Sequence, residues 1–491
     1  MLRVLLVGNP QAVSGWDRLI KMPSLNLASI AANVNREACE VRIADLVVRN
    51  AHPQRALVEE LDRFRPHLVG LTAMSFQYET ALALAMTVRD HNRETRIAIG
   101  GYHVSADREN ILRSDDMQLL DYLIEGEGET AFRELTDAIV DGRDLNTVRG
   151  LSYLRDGEPV SNPRPPLADL GDIRVPDRGA RVYKRGFHIL GVRGDVIETS
   201  RGCVYNCNFC SIRQMYGRLF RKYSIDRVLS DLKDAKRHGA RFIFIADDNI
   251  TVDVARYLEL CKRIIGEKLS LSFAVQASVR GINSDPELVR LMAEAGTKYV
   301  FLGIENESNE ALRAMHKSDQ LESSNTFDAV NELHQHGIVV AGGFIFGYPD
   351  DTEETLMQNF NYAKQLRVEL PAFNILTPHL KTEIREDLLD QNLVTNASDY
   401  SKYDHYHANV RTKHLSDSDL FRIGNEMVAR FFTESGAVFR LIRARPLFFI
   451  RLVWRMLCNE PGSLWVFVSG NSKYLSSASR GSCEMDRTGS H

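Results

Sequence analysis

From Met1 to about Ile139, short apolar runs alternate with amphipathic stretches. The spacing predicts strands at 4–7, 41–44, 68–72 and 97–99, an edge strand at 122–124, and helices over 25–36, 53–64, 78–91 and 129–140. This alternation is the signature of parallel β/α units, so residues 1–140 are expected to form a Rossmann-like, doubly wound α/β domain. An open sheet of that kind takes its ligand beyond the carboxyl ends of its strands. Those ends carry Gly8-Asn9-Pro10, Thr72-Ala73-Met74-Ser75 and Gly100-Gly101-Tyr102-His103.

The pattern breaks between 141 and 194. Residues 150–159 read as a hairpin turning at Asp156-Gly157, a dipeptide suited to tight turns. Pro163, Pro165, Pro166 and Pro176 then stiffen an extended path, as expected of a linker laid over a surface. From 195 to 384 the alternation resumes with six strand candidates, at 195–199, 242–245, 271–277, 299–302, 339–346 and 372–376. Polar groups gather where they end: Asp247-Asp248-Asn249, Ser278 with Arg280, Glu305-Asn306, Gly347-Tyr348 and Thr377-Pro378. In a β/α barrel such ends form the active face. A helical domain is expected over 385–475 and a disordered tail over 476–491, where the residues are small and polar.

With 491 residues the chain has room for two or three domains. A formal net charge of −4 without a basic stripe argues against a nucleic-acid partner. Cys39, Cys261, Cys458 and Cys483 are isolated, which is not a disulfide framework; a reducing, cytoplasmic setting is expected. The apolar first eight residues are too short for a signal peptide or a membrane span.

The remaining three cysteines sit in Cys203-Val204-Tyr205-Asn206-Cys207-Asn208-Phe209-Cys210, with C-x₃-C-x₂-C spacing. Three thiolates from one loop can hold three irons of a [4Fe–4S] cube and leave the fourth open. Structural zinc is the alternative, but it takes four protein ligands, and no second C-x₂-C or H-x₃-H lies nearby. The loop, preceded by Thr199-Ser200-Arg201-Gly202, resembles the signature of the radical S-adenosylmethionine (radical SAM) family. That resemblance extends over the six β/α units and implies a partial (β/α)₆ barrel. It also implies S-adenosylmethionine on the open iron and a 5′-deoxyadenosyl radical as the reactive species. By the same resemblance Asp247, Asp248 and Asn249 lie by the amino group of S-adenosylmethionine, Ser278 and Glu305 by its carboxylate and ribose, and Gly343 to Gly347 by its adenine, with Phe209 in the cluster loop. Helix capping is the alternative role for the carboxylates and amides. No catalytic side chain is assigned, and Thr377-Pro378-His379 departs from the Pro-Gly-Thr turn of relatives.

The first domain lacks a G-x-G-x-x-G turn after its first strand, so a dinucleotide reading is weak. Through Leu68-Val69-Gly70-Leu71-Thr72, Ile99-Gly100-Gly101-Tyr102-His103 and Glu125-Gly126-Glu127-Gly128-Glu129 it resembles the cobalamin-binding domain that precedes many radical SAM domains. Thr72, Ser75, Gly100, Gly101, Tyr102 and Gly126 are then the expected cobalamin contacts, the glycine pair admitting a bulky ligand close to the backbone. The D-x-H-x-x-G motif that ligates cobalt elsewhere is absent, so the lower face is expected to lack a histidine ligand. A domain of the same fold without cobalamin is the alternative.

The resemblance implies an oxygen-sensitive enzyme that methylates an unactivated carbon or phosphorus centre, most readily a carbon, or, as the alternative, cyclises or rearranges a ring-shaped or lipid-like product. A cluster-bearing electron carrier or sensor is the reading from another class. An external donor such as flavodoxin or ferredoxin is implied. Between Val438 and Arg455, bulky apolar residues interleave with arginines. Such a helix either caps the barrel or lies at a membrane surface. The second option suggests peripheral membrane contact and a sizeable, apolar small-molecule substrate.

Overall fold

The computed structural model describes residues 1–11, 20–189, 191–317, 324–444 and 450. The first part of the chain runs through β1 (Leu2–Gly8), β2 (Ile20–Lys21), β3 (Cys39–Asp45), β4 (Leu68–Thr72), β5 (Arg96–Gly100), β6 (Tyr122–Ile124), β7 (Leu151–Arg155) and β8 (Glu158–Ser161). A strand apolar at consecutive positions needs cover on both faces, and β1 has it. Leu5 and Val7 pack with Leu57, Leu61 and Val88 in one core, Val4 and Leu6 with Leu27, Phe132 and Leu135 in another. All four are at most 1% exposed, and burying each such side chain contributes about 1.5–3 kcal/mol. The helices Pro53–Phe64 and Tyr78–His91 supply the first core, Leu25–Asn33 and Gly128–Asp141 the second, which makes the domain doubly wound.

Its sheet has the order β3-β1-β4-β5-β6-β7-β8. The first five of these strands are parallel; β7 then pairs antiparallel with β6, and β8 with β7. Two expectations are corrected here. Residues 122–124 are not an edge, and the hairpin is not a surface linker but the continuation of the sheet. Leu151 and Tyr153, 0% and 5% exposed, share a core with Ile124, and the Asn162 amide donates to Leu145 O and Val148 O, both at 2.7 Å, anchoring the proline-rich path.

The second sheet uses β9 (His188–Ile189), β10 (Val192–Ile197), β13 (Phe242–Ile245), β14 (Ser272–Ser278), β15 (Thr297–Glu305), β16 (Val339–Phe346) and β17 (Leu370–Ile375), while β11 (Ser200–Arg201) and β12 (Arg221–Lys222) pair separately. β10 and β13 to β17 are six parallel neighbours, an open half-barrel. At its β10 edge, β9 and then β2 add antiparallel. The expected partition at 140 and 194 therefore crosses a shared edge: a strand from the first 140 residues completes the barrel sheet.

The chain after 384 is helical. The helix Asp417–Glu434 docks through Phe431, whose ring lies 5.9 Å from Phe373 and 6.2 Å from Phe360. In the next helix, Ala437–Ala444, Leu441 packs with Ile189, Phe242, Tyr299 and Val339. Those residues lie towards the amino ends of the barrel strands, so this helix caps the end opposite the active face and does not border the mouth. Phe439 is 79% exposed. Residues 445–449 and 451–455 of the arginine-rich segment, Cys458, Cys483 and the tail expected at 476–491 lie outside the described residues. Among the described residues no helix is long and apolar enough to cross a membrane.

Candidate active site where two strand-end faces meet

The cysteine loop is held at its base by the β11–β12 pair. Gly202, at φ +88°, is required there, since a Cβ would strike the carbonyl of Leu219. Asn208 pegs the loop from three sides: its amide side chain donates to Ala314 O at 2.8 Å, its Oδ1 accepts from the Tyr348 hydroxyl at 3.0 Å, and its carbonyl accepts from Ile384 N at 3.3 Å. Cys203, Cys207 and Cys210 are free thiols of intermediate exposure. Burial, with a smaller contribution from neighbouring Cys207, pushes Cys203 up to about 11 and Cys210 up to about 12. The three sulfurs thus share one neighbourhood. Among the described residues no three His, Cys, Asp or Glu groups converge as a mononuclear metal site would. Three soft thiolates on one short loop fit an iron–sulfur cube, whose irons are ligated at separate corners.

The strand-end residues divide by what holds them. Asp247 is 0% exposed and accepts from Thr199 N at 2.6 Å, Thr199 Oγ1 at 2.5 Å and Ser200 Oγ at 2.6 Å. Its carboxylate, engaged by these three donors, ties β13 to the base of the cysteine loop. Asp248 is less buried and accepts from Gly202 N at 2.9 Å; burial pushes its carboxyl up to about 6. Asn249 Oδ1 accepts from Thr251 N and Oγ1, and Ser278 Oγ from Gly281 N, both as helix caps. Glu305, at φ +66° on a register shift between β15 and β16, pairs with Lys317, which also donates to Gly303 O at 3.1 Å. A Cβ on Gly343 would meet the Phe301 ring at 2.8 Å. Gly347, at φ +99°, donates to Asp351 Oδ2 at 2.7 Å. Phe209 packs partly buried on the barrel core.

At the first sheet, Thr72 and Gly100 end β4 and β5 side by side. Gly101, at φ +105°, is pressed against Ala73, whose carbonyl would lie 2.6 Å from an added Cβ. The side of Gly101 that a Cβ would occupy is taken by the chain itself, so this glycine serves the turn. Ser75 is 3% exposed, and Gly126 N donates to Ser105 Oγ at 2.9 Å. His103 is wedged between Tyr78 and Tyr400, with ring centroids 4.2 and 4.7 Å away, and burial lowers it to about 4. Tyr102 donates its hydroxyl to Leu380 O, 3.3 Å away and just past β17, and packs with Leu380 and Met215. The two strand-end faces therefore meet, with the cysteine loop between them. The donors on the first face are neutral amides and hydroxyls, which fit a large amide-fringed macrocycle such as cobalamin.

Sequence reasoning missed the joint that sets this meeting. Arg201 reaches Glu127 at 2.8 Å, Glu129 at 2.6 Å and Glu198 at 2.6 Å, while Arg221 reaches Glu127 at 2.7 Å. Burial opposes the charge of Arg201, yet Glu198 and Glu129 hold its pKa above the ordinary value. Glu127 and Glu129 flank Gly128 in the stretch read as a cobalamin motif, and that was the one available signal.

Comparison with known proteins agrees with this layout. Residues 197–363 match the radical SAM superfamily and residues 19–136 match the B12 binding domain. The chain is 29% identical over 437 residues to an uncharacterized methyltransferase of Pyrococcus horikoshii, covering 88% of this chain and 93% of that one. It is 27% identical to an anaerobic magnesium-protoporphyrin IX monomethyl ester cyclase of Rubrivivax gelatinosus, covering 70% of this chain and 62% of the cyclase. A solved structure of the radical S-adenosylmethionine methyltransferase TsrM from Kitasatospora setae, with cobalamin and a [4Fe-4S] cluster bound, superimposes with a TM-score of 0.70 at 18% identity over 91% of this chain and 100% of that one. The cysteine loop on a six-stranded half-barrel and the doubly wound first sheet coincide with these two matches, so the chain carries a radical SAM domain over residues 197–363 with a B12-binding domain ahead of it over residues 19–136.

Proposed function

We propose that this protein is a cobalamin-dependent radical SAM enzyme that methylates an unactivated carbon of a small-molecule substrate. The observation that carries the reading is the Tyr102–Leu380 contact, which brings the strand ends of the B12-binding domain onto the barrel mouth beside the cysteine loop. When bound, the [4Fe–4S] cluster with S-adenosylmethionine supplies a carbon-centred radical, and cobalamin supplies the methyl group. Cys203, Cys207 and Cys210 hold the cluster as thiolates. Asp248 accepts from the amino group of S-adenosylmethionine in place of Asp247, which instead fixes the loop's base. Ser278 and Glu305 border its carboxylate and ribose, and the turn from Gly343 to Gly347 borders its adenine. Asn249 and Phe209 position this rim. Thr72, Ser75, Gly100, Tyr102 and Gly126 line the cobalamin side, and Gly101 shapes the turn without itself making room.

The test is anaerobic reconstitution with iron, sulfide and cobalamin, followed by reduction in the presence of S-adenosylmethionine. Formation of both 5′-deoxyadenosine and S-adenosylhomocysteine supports the reading; a protein that cleaves no S-adenosylmethionine is a carrier or sensor. A radical cyclase is the second reading, supported by the similarity to the Rubrivivax gelatinosus cyclase. It predicts 5′-deoxyadenosine without methyl transfer. Peripheral membrane contact is a finer proposal, supported by the exposure of Phe439 and Ile442, 79% and 37%. Binding to anionic liposomes that is lost in Phe439→Asp supports it; wild type left in the supernatant at low salt removes it.

A further inference from the structure

Where the two strand-end faces meet, one wall is built from histidines that the site described above does not use. His379 stands in the turn after β17, one residue before Leu380, and its ring lies 6.1 Å from that of Tyr102 and 5.1 Å from that of His405. His405 is fixed at the end of β17, where its carbonyl accepts from Ile375 N at 2.8 Å, and its φ is +68°. A residue other than glycine at positive φ carries strain, and such positions gather at ligand sites. The His405 ring is open to solvent, yet burial lowers its pKa. The ring therefore faces a hollow and not the outer surface.

Both rings are neutral at pH 7. Burial first, and then the nearby His405 and Arg385, lower His379 to about 3. A neutral imidazole carries one N–H and one bare nitrogen. Nδ1 of His379 is buried without a hydrogen-bond partner, so an N–H on that side would be stranded. The hydrogen belongs instead on Nε2, at the other edge of the half-buried ring. Arg385 stands behind the pair. Its donors go to neutral oxygens, Pro378 O at 2.7 Å, Tyr403 Oη at 2.8 Å and Ala397 O at 3.1 Å, and among the described residues it shares no ion pair. The carboxylates nearby are engaged by other groups, Asp107 by Asn110 and Tyr400, Asp404 by His407.

We propose that His379 and His405 anchor a carboxylate of the substrate, so that the enzyme acts on a carboxylic acid held at the edge where the barrel meets the B12-binding domain. The inference rests on the function proposed above and narrows its substrate class. Two N–H donors match the two oxygens of a carboxylate, whereas a phosphate would keep a third oxygen unserved. The field of the Arg385 guanidinium favours an anion in the hollow, and hydrogen bonds to it are stronger there than in water. Leu380, next to His379, accepts from the Tyr102 hydroxyl, so an acid anchored here lies between the cobalamin side and the cysteine loop.

The experiment follows the ring signals of His379 and His405 by nuclear magnetic resonance in reconstituted, full-length protein carrying isotope-labelled histidine. Benzoate is the probe and benzamide, its neutral counterpart, the control. Benzoate is expected to shift both rings with a dissociation constant of about 1–10 mM, in keeping with so small a ligand, and benzamide to bind about tenfold or more weakly. His379→Phe keeps an aromatic ring against Tyr102 and removes the donor; His405→Gly suits the positive φ and removes the other. Each is expected to weaken benzoate about tenfold or more in protein that stays folded by its urea midpoint. If His379→Phe fails to fold, His405→Gly decides. An equal response to benzoate and benzamide, no response to either, or wild-type benzoate affinity in the folded variants overturns the anchor. Failure of reduced wild type to cleave S-adenosylmethionine overturns the proposed function instead, and the titration still decides the anchor.

Discussion

Nη2 of Arg201 lies 2.6 Å from Oε1 of Glu129, so a side chain just before the cysteine loop ends on a helix of the B12-binding domain. The two cofactor-bearing parts are thus tied at the root of the loop that places the cluster. Both side chains are 7% exposed, and removing one member of a buried ion pair leaves its partners uncompensated. Arg201→Met is expected to cost about 3–5 kcal/mol, read as a lower urea midpoint. Stability equal to wild type would show that the joint is not structural.

The same joint sets an acid limit. Burial raises the carboxyl of Glu127, but the hydrogen bond from Arg221 and the charge of Arg201 outweigh it, and its pKa is lowered. A carboxylate depressed in the fold contributes stability that is present above its unfolded value of about 4.3 and is lost as pH falls through its folded value. Glu127→Gln should therefore flatten the dependence of stability on pH below about pH 4.3. Urea denaturation over that range checks it, and an unchanged acid slope would contradict the assignment.

Asp247 and Asp248, adjacent in sequence, should separate by phenotype. Asp247→Asn places an amide group against three donors and is expected to destabilise by about 1.5–3 kcal/mol or more. Asp248→Asn should keep the wild-type urea midpoint and weaken the binding of S-adenosylmethionine to cluster-loaded protein, measured calorimetrically. The opposite pattern would return the ligand contact to Asp247.

These residues also show how far the sequence could be read. Continuous apolar runs such as Val4 to Val7 report a strand covered on both faces, and the cysteine spacing reports the loop. Three polar residues after Ile245 announce a strand end, but which one turns inward depends on Thr199 and Ser200, which are distant in sequence. The hairpin at 151–161 reads as a linker because its outer strand is mostly exposed; only its pairing with Leu123 and Ile124 shows that it belongs to the sheet. The reach of Arg201 to Glu129 is hinted at only by the Glu127-Gly128-Glu129 stretch, which does not show its partner.

Cobalamin bound to the first domain should carry no nitrogen from His103, whose ring is packed between Tyr78 and Tyr400. The electron paramagnetic resonance spectrum of the Co(II) form is expected to be the same in wild type and His103→Phe. Nitrogen splitting that disappears in the variant would refute this.

Iron analysis of the reconstituted protein checks the cluster ligands: one cube, of about four irons per chain, is expected in wild type and none when Cys203, Cys207 and Cys210 are all replaced by alanine. Retention of the cube in the triple variant would move the cluster elsewhere.

The central claim is that one site joins radical generation to methyl transfer through cobalamin. Its most direct test is a single-turnover assay of the reconstituted, reduced holoprotein with S-adenosylmethionine labelled on the methyl group, with both nucleoside products quantified and the cobalamin spectrum recorded. The account predicts 5′-deoxyadenosine together with S-adenosylhomocysteine, the latter in step with label appearing on cobalamin. 5′-Deoxyadenosine alone, with cobalamin bound but never labelled, would contradict it.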